Sequence, residues 1–378
     1  MPFVYVSNFS SNSVSVIDIK TNDVIANISV GNQPAQMIVT PNGQYVYVWS
    51  NATGASGVIF VIDTKTHAII SSIFIDETVS VDIFKKFAVS PDGQFVYVTR
   101  VSNNLAEMAL VVIDTKTNFI TAKVRVGDTP LSPVVLPNGK FIYVINNGVL
   151  NLSKSSISVI ETKTYTITST IDFSLGIIPS VFLGVDLIVA PNGKLVYALN
   201  AVSTDVFGSV SVIETKTNTI VATIEVGLIP HTLAVSPDGK FIYVVNSFDG
   251  NLNGSVSVIE TKTHTIVATI DVGLLPVGIA INPNGQYIYV VNNISIENKG
   301  SVSVIDTNHF TVISTITVDF SPTAISITPD GQYIYVVNTG NFIGSPNNKI
   351  SVIETKTNTV IATVAVGDHP SAVAIVSG

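Results

Sequence analysis

The chain has 378 residues, no cysteine and a net charge of −8, and charged residues make up only 12% of it. The lack of cysteine excludes disulfides and thiolate sites. The negative charge argues against nucleic acid as the main partner, because such binding depends on clustered Lys and Arg. The mean hydropathy of +0.50 is high, but apolar runs such as Phe241–Val245 are far shorter than the roughly 20 residues of a membrane helix. We therefore expect no membrane insertion.

A four-strand repeat fills the chain from end to end. Its clearest copy, from Gly208 to Tyr243, reads GSVSVIETKTNTIVATIEVGLIPHTLAVSPDGKFIY. Self-similarity at a period of roughly 40–50 residues is typical of β-propellers and solenoids. Single repeats of this kind cannot bury a core and must stack on their neighbours. We therefore predict an all-β chain in which residues 1–378 form one domain.

Two kinds of turn recur along the chain. Pro-Asn/Asp-Gly, which suits a tight hairpin, occurs seven times and joins the first and second strands of a repeat (the A–B turn). It starts at Pro41, Pro91, Pro137, Pro191, Pro237, Pro283 and Pro329. An acidic residue followed by a polar run occurs eight times and joins the third and fourth strands (the C–D turn). It starts at Asp18, Asp63, Asp114, Glu161, Glu214, Glu260, Asp306 and Glu354.

The mismatch of seven A–B turns against eight C–D turns predicts how the ring closes. The first strand, Phe3–Val6, has no strand A before it, and the last, Ala372–Val376, has no strand B after it. Pairing the two completes an eighth sheet and removes two open edges. The prediction is an eight-bladed β-propeller of four-stranded antiparallel blades.

The recurring strand B resembles the YVTN family of β-propellers. The matching segments are Tyr5-Val6-Ser7-Asn8, Tyr143-Val144-Ile145-Asn146, Tyr243-Val244-Val245-Asn246, Tyr289-Val290-Val291-Asn292 and Tyr335-Val336-Val337-Asn338. The resemblance implies a propeller of the kind found in archaeal and bacterial surface-layer and cell-surface proteins, and it implies no reaction. Many members have seven blades, so eight repeats are a departure. A native start at Met1, which leads directly into the first strand, would instead indicate the cytoplasm.

The face that carries the B–C and D–A loops is the predicted working face. The turns of the opposite face are nearly identical between repeats, whereas the B–C loops differ in length, and function is usually carried by variable loops on a rigid scaffold. Most B–C loops contain a large apolar residue. The candidate interaction rim is Phe9, Phe207, Phe248 and Phe342. Two interpretations stay open: each residue packs over its own blade, or together they grip a partner.

A second candidate site lies where the repeat is broken. The Asn that ends strand B is replaced by Ser50 and then by Arg100, in a sector that concentrates charge. The candidate ligand-binding residues are Trp49, Lys85, Lys86, Arg100, Asp186 and His231. Arg100 and Lys86 would hold an anionic group, with Trp49 as a stacking platform. The alternative is that these charges pair with each other.

The sequence contains no nucleophile elbow, P-loop, dinucleotide fingerprint or zinc-protease motif. We predict no catalytic residue, metal or cofactor. The favoured function is a monomeric, non-enzymatic scaffold that binds a protein or surface polymer through its loop face. The alternatives are a lactonase- or lyase-like enzyme with a site at the channel mouth, and a binder of small molecules or sugars.

Overall fold

The computed structural model describes residues 2–51, 57–75, 87–102, 104–148, 155–172, 186–201, 207–248, 253–294, 299–341 and 345–376. In this part of the chain, thirty β-strands and one short 3-10 helix, Leu105–Glu107, form the regular structure. The strands make six antiparallel sheets. Each sheet is built from strands that follow one another along the chain, apart from the sheet that holds both ends.

The bounds of the strands follow the repeat. The sheet with both ends contains β1 (Phe3–Asn8), β2 (Ser13–Asp18), β3 (Val24–Ser29) and β30 (Pro370–Val376). The next sheet contains β4 (Asn32–Val39), β5 (Tyr45–Asn51), β6 (Gly57–Asp63) and β7 (Ala68–Ile75). It is followed by a sheet of β8 (Phe87–Val89), β9 (Phe95–Arg100), β10 (Ala109–Asp114) and β11 (Phe119–Arg125). The sheet after that contains β12 (Pro130–Val135), β13 (Phe141–Asn146), β14 (Ser156–Glu161) and β15 (Thr166–Asp172). Another contains β26 (Pro322–Ile327), β27 (Tyr333–Asn341), β28 (Ser345–Glu354) and β29 (Thr359–Ala365).

The remaining sheet has ten strands because two long strands each serve two repeats. Its members are β16 (Asp186–Val189), β17 (Leu195–Asn200), β18 (Phe207–Glu214), β19 (Thr219–Val235), β20 (Phe241–Phe248), β21 (Asn253–Glu260), β22 (Thr265–Ile281), β23 (Tyr287–Ile294), β24 (Ser301–Asp306) and β25 (Thr311–Thr317). The 17-residue strands β19 and β22 run on from the fourth strand of one repeat into the first strand of the next.

The predicted pairing of the chain ends is present. β1 pairs antiparallel with β30, with Val4 opposite Ile375 and Val6 opposite Val373. A side-chain hydrogen bond also joins this sheet to the sheet that contains β27. The Tyr335 hydroxyl in β27 donates to Asn22 Oδ1, between β2 and β3, at 3.3 Å. Both ends of the described chain are therefore held by backbone and side-chain hydrogen bonds.

The core lies between neighbouring sheets. One apolar cluster joins Tyr143 and Ile145 of β13 to Leu187 of β16 and Val196 of β17, in the sheet that follows. The strand B tyrosines are almost fully buried. They are Tyr5, Tyr47, Tyr97, Tyr143, Tyr197, Tyr243, Tyr289 and Tyr335, each 0–1% exposed. Strand B is thus covered on both faces, as its unbroken apolar sequence predicts.

The A–B and C–D turns are tied to each other. The glycine of every Pro-Asn/Asp-Gly turn has a positive φ of 69–74°, as this hairpin requires. Its carbonyl accepts a hydrogen bond from a C–D turn threonine, such as Thr261 Oγ1 to Gly239 O at 2.7 Å. The equivalent residue in the sheet with both ends is Ile19. That sheet has no A–B turn and hence no such carbonyl to bind.

Candidate functional site

The end of strand B nearest the loop face carries a buried polar network. Asn246 Nδ2 donates to Ser255 Oγ at 3.2 Å and to Ser257 Oγ at 3.0 Å, both on the adjoining strand. Asn8, Asn146, Asn200 and Asn292 each bind two serines in the same way. Because buried polar groups need partners, the asparagine and its two serines form one unit. The Asn of the YVTN-like motif is therefore explained by packing of strands B and C.

Two sheets lack the whole unit. Ser50 faces Val58, with Phe60 two residues further along β6, and Arg100 faces Ala109, with Val111 two residues along β10. All three polar positions are replaced together. The breaks in the repeat that define the charged candidate site are thus replacements of a structural unit.

Arg100 binds a carboxylate of its own chain. It is 6% exposed, donates to the Glu107 carbonyl, and lies 3.0 Å from Glu107 Oε2 through its Nη2. The hydrogen bond from Arg100, followed by one from Ser102, lowers the pKa of Glu107, so this partner stays ionised. Arg100 is therefore paired with a carboxylate of its own chain, which is the alternative interpretation of the charged candidate site. Glu107 binds the guanidinium that was predicted to hold an external anion.

The prediction that Trp49 is a stacking platform is wrong. The side chain is 0% exposed and belongs to the apolar cluster with Tyr47 and Ile59. Its ring fills the space above Gly57, where an added Cβ would lie 1.9 Å from Trp49 Cη2. A ligand cannot stack on a ring that has no accessible face.

The other members of the charged candidate site are only partly described. Lys85 and Lys86 lie outside the described residues. Asp186, 6% exposed, accepts a 2.9 Å hydrogen bond from the Leu187 backbone N–H. Its other oxygen lies 3.5 Å from Thr232 Oγ1, next to His231 in the following repeat. The structure thus brings Asp186 and the His231 segment together on neighbouring inner strands. No cluster of three metal-ligating side chains occurs in the part of the chain that the structure describes.

The candidate rim is partly assembled across a junction between repeats. Phe207 is 55% exposed and pairs with Leu228 of β19, and Leu228 in turn pairs with Phe248 of β20. Phe9 is half-buried, and its backbone N–H donates to His369 O at 2.9 Å. Phe342 lies outside the described residues. Ile294, 39% exposed, and Phe320, 38% exposed, add apolar surface at the next two junctions on this face.

The opposite, turn-bearing face contains two clefts that the sequence did not predict. One of about 190 Å³ lies between the A–B turns at Pro91 and Pro137, and one of about 300 Å³ lies beside the A–B turns at Pro237 and Asn284. The sequence does contain a signal for them, because the last residue of the C–D turn is Asn or His in most repeats. Tyr165 and Phe310 occupy that position in two repeats, and they pack against Phe95 and Phe241, which line the clefts.

Comparison with known proteins supports the fold. No protein-family model matches the chain. Over 121 residues it is 31% identical to the seven-bladed β-propeller protein Rv1057 of Mycobacterium tuberculosis, a match that covers 32% of this chain and 28% of the relative. The chain therefore spans less than a third of the length of that relative.

Solved structures with low sequence identity share the fold. Dihydro-heme d1 dehydrogenase NirN in complex with DHE has a TM-score of 0.74 at 14% identity, covering 98% of this chain and 74% of that one. Apo AztD from Citrobacter koseri has 0.64 at 13%, covering 99% and 98%. Hydrazine synthase of Kuenenia stuttgartiensis has 0.63 at 21%, covering 85% and 95%.

Among the described residues, no helix is long and apolar enough to span a membrane. The four-stranded antiparallel sheets, the partial match to a seven-bladed propeller and the structural neighbours agree with one another. This chain is a β-propeller protein.

Proposed function

We propose that the chain is an eight-bladed, YVTN-type propeller that acts as a monomeric, non-enzymatic scaffold and binds a protein or surface polymer through its loop face. Propellers host many unrelated functions, so the function depends on the surface rather than on the fold. The engagement of Arg100 by Glu107 and the burial of Trp49 favour binding at the loop face over chemistry in the charged sector.

One observation carries the proposal. The register Phe207–Leu228–Phe248 crosses the junction between two repeats, so the positions of Phe207 and Phe248, predicted from separate loops, lie on either side of Leu228 in one strand ladder. Phe207 leaves more than half of its surface in water, at 55%, and Leu228 is half-buried. Exposed apolar surface is typical of interaction sites, and aromatic anchors dominate binding energy at interfaces.

A capture experiment tests the proposal. Immobilised wild type, a Phe207→Ser, Leu228→Ser double variant and a Phe119→Ser control are incubated with lysate and cell-surface fractions of the source organism. Phe119 is 72% exposed at the start of β11, next to a C–D turn on the opposite face. We expect a stoichiometric partner on wild type and on the control, and its loss from the double variant.

Two outcomes would contradict the loop-face proposal. One is equal capture by the double variant, and the other is the absence of a stoichiometric partner from all three samples. Unchanged thermal unfolding of the double variant shows that a loss reflects the surface and not the fold.

The blade count has separate support. The six described sheets resolve into eight four-strand repeats when β19 and β22 are each divided between two repeats. The self-rotation function of crystal diffraction data should then contain a peak at one-eighth of a turn. A peak at one-seventh of a turn would overturn the count.

A further inference from the structure

On the turn face, buried tyrosines bind across the boundary between neighbouring repeats. Tyr47 OH donates to Asn118 Oδ1 at 2.7 Å, Tyr143 OH donates to Asn218 Oδ1 at 2.5 Å, and Tyr5 OH lies 2.8 Å from His67 Nδ1. In each case the partner is the positive-φ residue that ends the C–D turn of the following repeat. At these three boundaries the turn side chain satisfies the tyrosine, whereas the hydroxyls of Tyr197 and Tyr289 form no hydrogen bond to the turn residues His264 and Asn358.

At two boundaries an aromatic residue occupies the same turn position. Tyr165 packs edge-on against Phe95, with ring centroids 6.5 Å apart, and Phe310 packs edge-on against Phe241 at 5.3 Å. Tyr97 and Tyr243, each 1% exposed, are the tyrosines at these boundaries. Neither hydroxyl forms a hydrogen bond to another residue of the described chain.

Each of these tyrosines lines one of the two clefts. Tyr97 shares its cleft of about 190 Å³ with Asp92, Asn138, Thr162 and the half-buried ring of Phe95. Tyr243 shares the cleft of about 300 Å³ with Asp238, Asn284, Thr307 and the ring of Phe241. The two clefts, three repeats apart, present the same groups: a phenol, a carboxylate, a carboxamide, a threonine hydroxyl and an aromatic wall.

The carboxylates of both clefts are held as acceptors. The Ser90 hydroxyl, donating at 2.6 Å, is the main cause that lowers the pKa of Asp92. The Ser236 hydroxyl, donating at 2.7 Å, is the main cause that lowers the pKa of Asp238 to about 2. Lys240 Nζ lies 2.9 Å from Asp238 Oδ2, which disfavours a cationic ligand in that cleft. Acceptors and donors beside an apolar wall suit a neutral ligand with several hydroxyl groups.

We propose that these two clefts are equivalent binding sites for saccharide rings. The ring hydroxyls would bind the carboxylate, the carboxamide and the tyrosine hydroxyl, while a C–H face packs against Phe95 or Phe241. The inference is independent of the loop-face proposal, because the clefts lie on the other face. Two sites on one rigid ring would also let a polymer of sugars bind more tightly than its single units.

Saturation-transfer difference NMR with methyl glycosides of glucose, galactose, mannose and N-acetylglucosamine tests the proposal on the whole chain. Tyr165→Asn with Phe310→Asn introduces the residue that binds Tyr47 and Tyr143 at their boundaries, and should occupy the hydroxyls of Tyr97 and Tyr243 that the ligand would otherwise bind. We expect saturation transfer to at least one glycoside for wild type and its loss for this variant. Tyr97→Phe with Tyr243→Phe should weaken binding about three- to tenfold, the value of one neutral hydrogen bond.

The matched control is Tyr47→Phe with Tyr143→Phe, which removes two hydroxyls at boundaries where the tyrosine is bound by asparagine. It should retain wild-type saturation transfer although its unfolding midpoint falls. Transfer to none of the four glycosides from folded wild type would overturn the proposal. Undiminished transfer in the Tyr165→Asn, Phe310→Asn variant would also overturn it, as would stronger transfer to tetramethylammonium than to any glycoside.

Discussion

At the scale of single residues, the asparagine at the end of strand B holds two strands together. Asn246 binds two serines, and an added Cβ on Gly227 would lie 2.6 Å from its Cγ. The asparagine thus occupies a space that is open because Gly227, in the link that leads into this repeat, has no side chain. Its recurrence along the chain reflects this local geometry.

The first prediction concerns that network. Asn246→Ala leaves the hydroxyls of Ser255 and Ser257 without their buried partner, and unsatisfied buried groups each cost about 1–3 kcal/mol. We expect the free energy of unfolding, measured in urea, to fall by about that amount. Ser50→Ala, at the equivalent position of a sheet that lacks the network, should change it by less than about 0.5 kcal/mol. A similar loss in both variants would contradict the assignment.

A single histidine makes a pH-dependent contribution. His67, in the C–D turn that starts at Asp63, is half-buried, lies within hydrogen-bond distance of the Tyr5 hydroxyl and packs edge-on against Phe3. Desolvation is the main cause that lowers its pKa below the usual 6.5, against the opposing charge of Asp63. The neutral form is therefore the one that the folded state favours.

The second prediction follows from the sign of that shift. The unfolded chain binds a proton at His67 more readily than the folded chain, so stability is lost as pH falls from about 7 through the unfolded pKa of about 6.5. His67→Asn introduces the residue that the next repeat has at this position, Asn118. It should reduce the fall in the thermal unfolding midpoint between pH 7 and pH 5. His309→Asn, at an exposed turn position, is the control and should retain the slope. An unchanged slope in His67→Asn would show that other groups cause it.

At the scale of elements, the outer strands share one irregularity in every repeat. The outer strands carry a bulge at the same position, for example between Val212 and Ile213 of β18 where Val221 is left over on β19. Where the extra residue is Thr121, its hydroxyl lies 3.3 Å from the Val112 carbonyl on the neighbouring strand. Bulges twist an exposed edge away from further pairing. The outer strands can thus stay apolar, as with the 49% exposed Val221.

The third prediction concerns the link between the two turns of a repeat. Thr261→Val removes the hydrogen bond to Gly239 O and should lower the free energy of unfolding by about 0.5–1.5 kcal/mol. Ile19→Thr, in the sheet without an A–B turn, provides a hydroxyl with no glycine carbonyl to bind and should give no gain. Urea unfolding of both variants checks this, and a gain in Ile19→Thr would contradict the explanation.

At the scale of the whole molecule, the first and last described strands meet in one sheet. β30 is the inner strand of a sheet whose other members come from the first 29 residues. Without it, β1 presents an open edge of buried sequence, which favours association between chains. The Tyr335–Asn22 bond also joins the last sheet to the first.

The fourth prediction tests closure. Deletion of residues 370–378 should lower the thermal midpoint and increase light scattering on heating. A circular permutant that joins the old ends through Pro-Asn-Gly and opens between Asn192 and Gly193 should keep the wild-type midpoint, because it exchanges one A–B turn for another. Loss of folding in this permutant would mean that the break between β30 and β1 is not equivalent to the other A–B turns.

The repeat, its turns and the pairing of the ends could be predicted from the sequence. These features depend on interactions within a few residues, such as the positive φ of Gly239, or on a mismatch that can be counted along the chain. The roles of Trp49, Arg100 and Tyr97 could be assigned only from the folded chain. Trp49 is buried because Gly57 on the neighbouring strand leaves room for its ring, and Arg100 is engaged because a loop returns Glu107 to it. Tyr97 has no hydrogen bond to the next repeat because the turn position there is Tyr165, which packs against Phe95. Each outcome depends on how a loop, an opposing strand or the next repeat folds back on the residue, which composition and local pattern do not reveal.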